Sequence, residues 1–132
     1  MNEINQGMLQ AAQEALQFAY APYSKYKVAA CIVTDLGNFY TGVNVENGSY
    51  GLTLCAEASA IGSMVSAGEQ RIAHILVIAG NDEFCAPCGA CRQRIFEFST
   101  KKTQVYLCKD RKISSTMKVN ELLPLAFDFK PQ

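Results

Sequence analysis

Cys55-Ala56-Glu57 and Pro87-Cys88-Gly89-Ala90-Cys91 are the two stretches on which the reading of this chain turns. Together they hold three thiols and one carboxylate in a pattern that suits a zinc ion carrying a reactive water. The two blocks lie far apart in sequence, so folding must assemble the site. Three cysteine ligands, Cys55, Cys88 and Cys91, fill three corners of a tetrahedron and leave the fourth open, as catalytic zinc sites do; structural sites close it with a fourth Cys or His. Glu57, two residues beyond the first ligand, stands beside the metal without having to bind it. A proton-shuttling carboxylate needs that position, so Glu57 is the candidate catalytic residue. One Zn2+ per chain is the expected cofactor.

Outward from these blocks, the chain alternates helical and extended segments. Met8, Leu9, Ala12, Ala15, Leu16 and Ala19 recur at helical spacing and predict an amphipathic helix over residues 3–20. Pro22 stops it, because proline disfavours a helical residue before it. Lys27 to Thr34 reads as a strand, Asp35-Leu36-Gly37-Asn38 as a turn, and Phe39 to Val45 as the returning strand of a hairpin. Residues 48–51 read as loop. A second helix runs from Cys55 to Ala67 and is closed by Gly68, and Ile72 to Ala79 is a buried central strand. Pro87 precedes a helix expected to reach Phe98; Val105 to Cys108 is a further strand, and Val119 to Leu123 a short last helix. The order α-β-β-α-β-α-β-α predicts one α/β domain over residues 1–132, a mixed sheet sandwiched between helices.

This placement puts Cys55 at the start of one helix and Cys88 and Cys91 in the first turn of another, on one face. Helix N-termini carry free N–H groups and partial positive charge. Both stabilise thiolates, the form that binds metal. Cys-x-x-Cys alone is shared with redox motifs and zinc knuckles; Pro87 and Cys55-Ala56-Glu57 narrow it.

Composition agrees with a small enzyme. The chain has 132 residues, 49% of them hydrophobic, enough for one substantial core. Its 12 basic and 12 acidic residues cancel without a long run of either sign, which speaks against non-specific nucleic-acid binding. No stretch approaches the roughly 18 apolar residues of a membrane helix. Met1-Asn2-Glu3-Ile4-Asn5 shows no basic-then-apolar secretion pattern, so a cytoplasmic setting is expected, with the six cysteines as thiols or ligands more than disulfides.

Tyr20-Ala21-Pro22-Tyr23-Ser24-Lys25-Tyr26, Gly42-Val43-Asn44-Val45-Glu46-Asn47, the two metal blocks continuing into Arg92-Gln93, and Leu122-Leu123-Pro124 stand in an order that resembles the cytidine deaminases over nearly the whole chain. The metal blocks are similar to the three-cysteine signature of zinc deaminases. The resemblance implies a three-layer α/β/α sandwich with a five-stranded mixed sheet. It also implies the small homotetrameric form, in which neighbouring subunits complete each active site. The implied activity is zinc-dependent hydrolytic deamination of cytidine and deoxycytidine to uridine and deoxyuridine, with ammonia released, in pyrimidine salvage. Glu57 would serve as base and then acid, so its pKa should sit nearer neutrality than that of a free glutamate.

The substrate contacts are carried over on the same ground. Asn44 and Glu46 match positions that hydrogen-bond the ribose, and alternation along a strand lets both reach one sugar. Their plainer reading is a polar strand end and turn. Tyr26 stands where the family commonly has a phenylalanine against the nucleoside, and Ala56 would offer backbone groups to the pyrimidine edge. Tyr50 and Phe127 resemble residues supplied across subunit interfaces, Phe127 packing over the base; Phe127 also reads as a C-terminal core anchor.

Ala58 departs from the family, which commonly places arginine after the catalytic glutamate. Three thiolates on Zn2+ leave a net charge of minus one, and an arginine at ligand sulfur offsets it. Here helix dipoles and Arg92 are expected to compensate. The departure also brings the chain toward a blasticidin-S type deaminase of a related aminated pyrimidine nucleoside, while Asn44-Val45-Glu46-Asn47 pulls back toward cytidine. Cys31 and Cys108 read as buried thiols. Cys85 lies near enough to the metal block to compete as a ligand, and His74 stands outside both blocks. Two other classes stay open: a deaminase that flips a base from nucleic acid, and a non-enzymatic module whose zinc is closed by Cys85 or His74.

Overall fold

The computed structural model describes residues 2–129; residues 1 and 130–132 of the expected domain lie outside it. Five strands form one sheet, flanked on one face by α1 (Glu3–Leu16) and on the other by α2 (Ala56–Ser66), α3 (Gly89–Glu97) and the short α4 (Val119–Leu122). The strands are β1 (Val28–Thr34), β2 (Phe39–Val43), β3 (Ile72–Ala79), β4 (Ser99–Lys109) and β5 (Lys112–Lys118), in spatial order β2-β1-β3-β4-β5. β3 and β4 pair in parallel and the other neighbours antiparallel, giving a mixed sheet.

Asn2 caps α1, its side-chain oxygen accepting from the Asn5 backbone N–H at 2.8 Å. Met8, Ala12 and Leu16 then face the sheet and pack on Cys31, Val33, Leu76, Ile78 and Cys108. The helix stops at Leu16, short of the residue 20 expected from its periodicity. Tyr20 is drawn into a bridge with Val45: its N–H donates to the Asn44 carbonyl at 3.0 Å, and its carbonyl accepts from the Glu46 N–H at 2.9 Å. Those bonds pull the chain off the helical path. β2 likewise ends at Val43, and the stretch 48–51, expected as loop, runs into a single 3₁₀ turn over Tyr50–Leu52.

β1 and β3 are buried on both faces and lie at the middle of the sheet, as continuous apolar runs require. On the α2 side the core is made by Ile32, Ile61, Met64, Ile75, Ile95 and Leu107, with smaller residues between. α2 ends where Gly68 turns left-handed at φ +91°.

The largest difference from the segment reading is β5, which falls in a stretch given no element; the resemblance alone implied five strands. Asp110 and Arg111 both have positive φ, at 52° and 59°, and turn β4 back in a two-residue hairpin. β4 also starts six residues earlier than expected, at Ser99, where it pairs with Ile72. The Thr103 hydroxyl fastens this polar beginning by donating to the Ile72 carbonyl at 2.6 Å.

Candidate active site

α2 and α3 bring the two sequence blocks together on one face of the sheet. Cys55 is the N-cap of α2 and Cys88 the N-cap of α3, both with extended backbone; Glu57 lies in the first turn of α2 and Cys91 in the first turn of α3. The ligand atoms of Cys55, Glu57 and Cys91 lie within 4.8 Å of one another. The Cys55 and Cys91 sulfurs touch, from Cα atoms 7.6 Å apart. That span is wider than the roughly 4.4–6.8 Å of ordinary disulfides, and a shared metal ion accommodates it better. Cys88 is exposed and its sulfur falls outside this cluster, but it lines the same cavity of about 240 Å³. Thiols at two helix starts beside a buried carboxylate form a donor set that fits zinc.

Glu57 is 4% exposed. Burial raises its pKa, against the opposing pull of its own backbone N–H and of the Arg94 charge. The direction is the one required of a carboxylate that both takes and gives a proton.

Arg94 was not singled out in the sequence. Its Nη1 donates toward Cys91 Sγ at 3.4 Å and Cys55 Sγ at 3.6 Å. Arg92, expected to balance the thiolates, is occupied elsewhere: Nε donates to the Pro87 carbonyl at 2.8 Å and Nη1 to the Leu122 carbonyl at 2.9 Å. The signal was available, since Arg94 lies one helical turn after Cys91 and shares its face, whereas Arg92 points about 100° away.

The other site residues divide between two adjoining depressions. Tyr26, Asn44 and Ala56 line the cysteine cavity. Asn44 also stitches the backbone, accepting from the Val28 N–H at 2.9 Å and donating to the Tyr26 carbonyl at 2.8 Å. The Tyr26 hydroxyl donates to Cys85 Sγ at 3.8 Å; burial first, and then this thiol, push its pKa up to about 12. Glu46 and Tyr50 line the neighbouring depression, of about 390 Å³, and Thr53 borders both. Glu46 accepts from the Tyr23 and Ser24 N–H groups at 3.0 and 3.1 Å and from the Ser24 hydroxyl. The Ser24 hydroxyl is the main cause of its lowered pKa. Tyr50 is 75% exposed and meets Tyr23 edge-on.

Phe127 joins neither depression. Its ring is 73% exposed, which removes the core-anchor alternative, and its carbonyl accepts from Gln93 Nε2 at 2.9 Å. Cys31 and Cys108 are buried thiols, raised by burial to about 12. Cys85 lines the cysteine cavity outside the ligand cluster. His74 pairs at 3.0 Å with the hydroxyl of Tyr106, which belongs to the cluster under α1. Neither offers a fourth ligand to the cluster.

Residues 2–107 match the family model described as the cytidine and deoxycytidylate deaminase zinc-binding region. The chain is 44% identical over 117 residues to a cytidine deaminase of Mycoplasma pneumoniae, covering 87% of each. It is 39% identical over 122 residues to that of Halalkalibacterium halodurans, covering 92% of each. The crystal structure of cytidine deaminase from Burkholderia pseudomallei superposes with a TM-score of 0.87 at 40% identity, over 96% of this chain and all of that one. Fold and site define a hydrolytic enzyme of mixed α/β architecture with a thiol-rich centre at two helix starts. The chain belongs to the cytidine and deoxycytidylate deaminase family. No helix among the described residues is long and apolar enough to cross a membrane.

Proposed function

We propose that this chain converts cytidine and deoxycytidine, with water, to uridine and deoxyuridine and ammonia. The observation that carries the proposal is Glu57, buried and within 4.8 Å of two cysteine sulfurs at the joined starts of α2 and α3. Cys55 and Cys91, with Cys88 from the rim of the same cavity, would hold one zinc. When bound, zinc supplies Lewis acidity that makes water nucleophilic near neutral pH. Glu57 takes the proton from the water that attacks C4 and delivers it to N3. It then takes the proton of the new C4 hydroxyl and gives it to the amino group, which leaves as ammonia while C4 becomes a carbonyl, so one residue acts as base and then acid.

The remaining residues bind and orient. Ala56 offers backbone groups to the pyrimidine edge, and Tyr26 closes one wall of the cavity with its ring. Asn44 keeps one amide hydrogen beyond its backbone bond, and Glu46 retains acceptor capacity, so both can take a sugar hydroxyl across the ledge formed by Thr53. Tyr50 and Phe127, exposed within one chain, are the aromatic groups that a neighbouring subunit would bring over a bound base in a homotetramer. We read the chain as a single domain acting in the cytoplasm, its proposed reaction belonging to pyrimidine salvage.

Ammonia release from cytidine and deoxycytidine by zinc-loaded protein, beside Glu57→Gln, tests the reading. Turnover that falls by a factor of about 10² to 10⁴ in the variant, with zinc retained, is the expected result. Loaded protein inactive on both nucleosides would overturn the substrate assignment.

A further inference from the structure

We propose that Arg94 is the positioning residue of the metal centre: from α3 it offsets the charge of the ligand thiolates at Cys55 and Cys91. It thereby leaves position 58 on α2 free for a small side chain. The inference rests on the zinc reading above.

A single guanidinium nitrogen lies 3.4 Å from one ligand sulfur and 3.6 Å from the other, and the two sulfurs come from different helices. It therefore ties α2 to α3 at the point where the metal would join them. Three thiolates around Zn2+ carry one excess negative charge, and a cation donating hydrogen bonds to sulfur lowers the cost of gathering them. Neither Arg92 nor Arg111 serves this purpose. Arg92 is spent on the Pro87 and Leu122 carbonyls, and Arg111 on Asp82 and the Gly80 carbonyl.

Ala58 lies beside Arg94 in one groove of about 550 Å³, with Ile61, Gly62, Val65 and Phe98 giving it an apolar floor. The arginine stem can lie along that floor while its head stays at the thiols. A long side chain at position 58 would enter the same groove and compete for the same sulfurs. The two positions are therefore alternative sources of one charge.

Zinc affinity of the full chain, measured by competition with a chromogenic chelator, and the sulfur-to-metal charge-transfer band of the cobalt-loaded protein test this without recourse to activity. Arg94→Met should weaken zinc binding about 10- to 100-fold. It should also move the cobalt band to longer wavelength, because sulfur electrons rise in energy when a hydrogen bond is lost. Ala58→Arg added to Arg94→Met should restore both. Arg94→Met protein that binds one metal with unchanged affinity and band would overturn the role of Arg94. A second arginine that restores neither readout would overturn charge at the sulfurs as what Arg94 supplies. Wild-type protein that binds no zinc would instead overturn the metal site itself.

Discussion

Gly42 in β2 and Ala60 in α2 approach so closely that a Cβ built on Gly42 would lie 2.2 Å from the Ala60 backbone nitrogen and 2.6 Å from the Ala56 carbonyl. Both are rigid backbone atoms, so a side chain can enter only if strand and helix separate. α2 begins beside Cys55 and carries Glu57, so this contact sets the height of the site above the sheet.

Gly42→Ala should therefore destabilise the protein by about 1–3 kcal/mol, the usual cost of overpacking a tight contact. It should also lower turnover by shifting Glu57. Urea unfolding and steady-state rates measured on the same preparation check this; a stable, fully active variant would contradict the close packing.

Glu46 gives a pH dependence whose sign follows from its hydrogen bonds. The Ser24 hydroxyl, with the Ser24 and Tyr23 N–H groups, favours the ionised form and lowers the folded-state pKa. Its contribution to stability is thus complete above the ordinary glutamate pKa and is lost as pH falls through the lowered value. Glu46→Gln should melt below the wild type at neutral pH, and the gap should close in acid. Thermal unfolding of both proteins from pH 7 to pH 3 provides the measurement, and a gap that persists undiminished would contradict it.

Arg92→Met removes two hydrogen bonds from a charged donor to the Pro87 and Leu122 carbonyls. Half-buried bonds of this kind are worth about 1.5–3 kcal/mol each when lost, before relaxation. A net loss of about 2 kcal/mol is expected in denaturant unfolding. The cobalt charge-transfer band should stay in place, separating this arginine from Arg94.

Zinc should be felt in the fold as well as in catalysis, because its ligands sit at the starts of two helices. Chelator-treated protein should melt several degrees lower than the loaded form. Zinc returned at about 100 times its dissociation constant should restore about 2.7 kcal/mol. Identical melting curves with and without metal would contradict a metal that joins α2 to α3.

Much of this arrangement was legible from residue pattern. Ile72–Ala79 reads as a central strand because a short apolar run bounded by polar residues has few other homes. The helices at Cys55 and Cys88 were legible from small apolar residues at helical spacing and from Pro87. β5 was harder to see: Ser115 and Thr116 belong to an edge strand with little burial, so the alternation of Ile113, Ser115 and Met117 is faint. The early start of β4 was hidden for a similar reason, its first residues being polar and held by Thr103. At the site, the thiols and Glu57 were marked by type and spacing. For Arg94 spacing marks only the face it shares with Cys91; its contact with Cys55 depends on reach between two helices, which no spacing shows.

α3 is the crossover between β3 and β4, the parallel pair of the sheet. Its two ends are consequently tied to neighbouring strands, and the chain tolerates changes of length very unevenly. The 81–87 connection is tied to the end of β4, the Cys108 carbonyl accepting from the Cys85 N–H at 3.0 Å and the Asp82 carbonyl from the Asp110 N–H at 2.8 Å, so an extra residue fits there only between those bonds. One inserted within Gly89–Glu97, after Cys91, would swing Arg94 about 100° away from the sulfurs. Growth inside this helix therefore costs the centre its alignment.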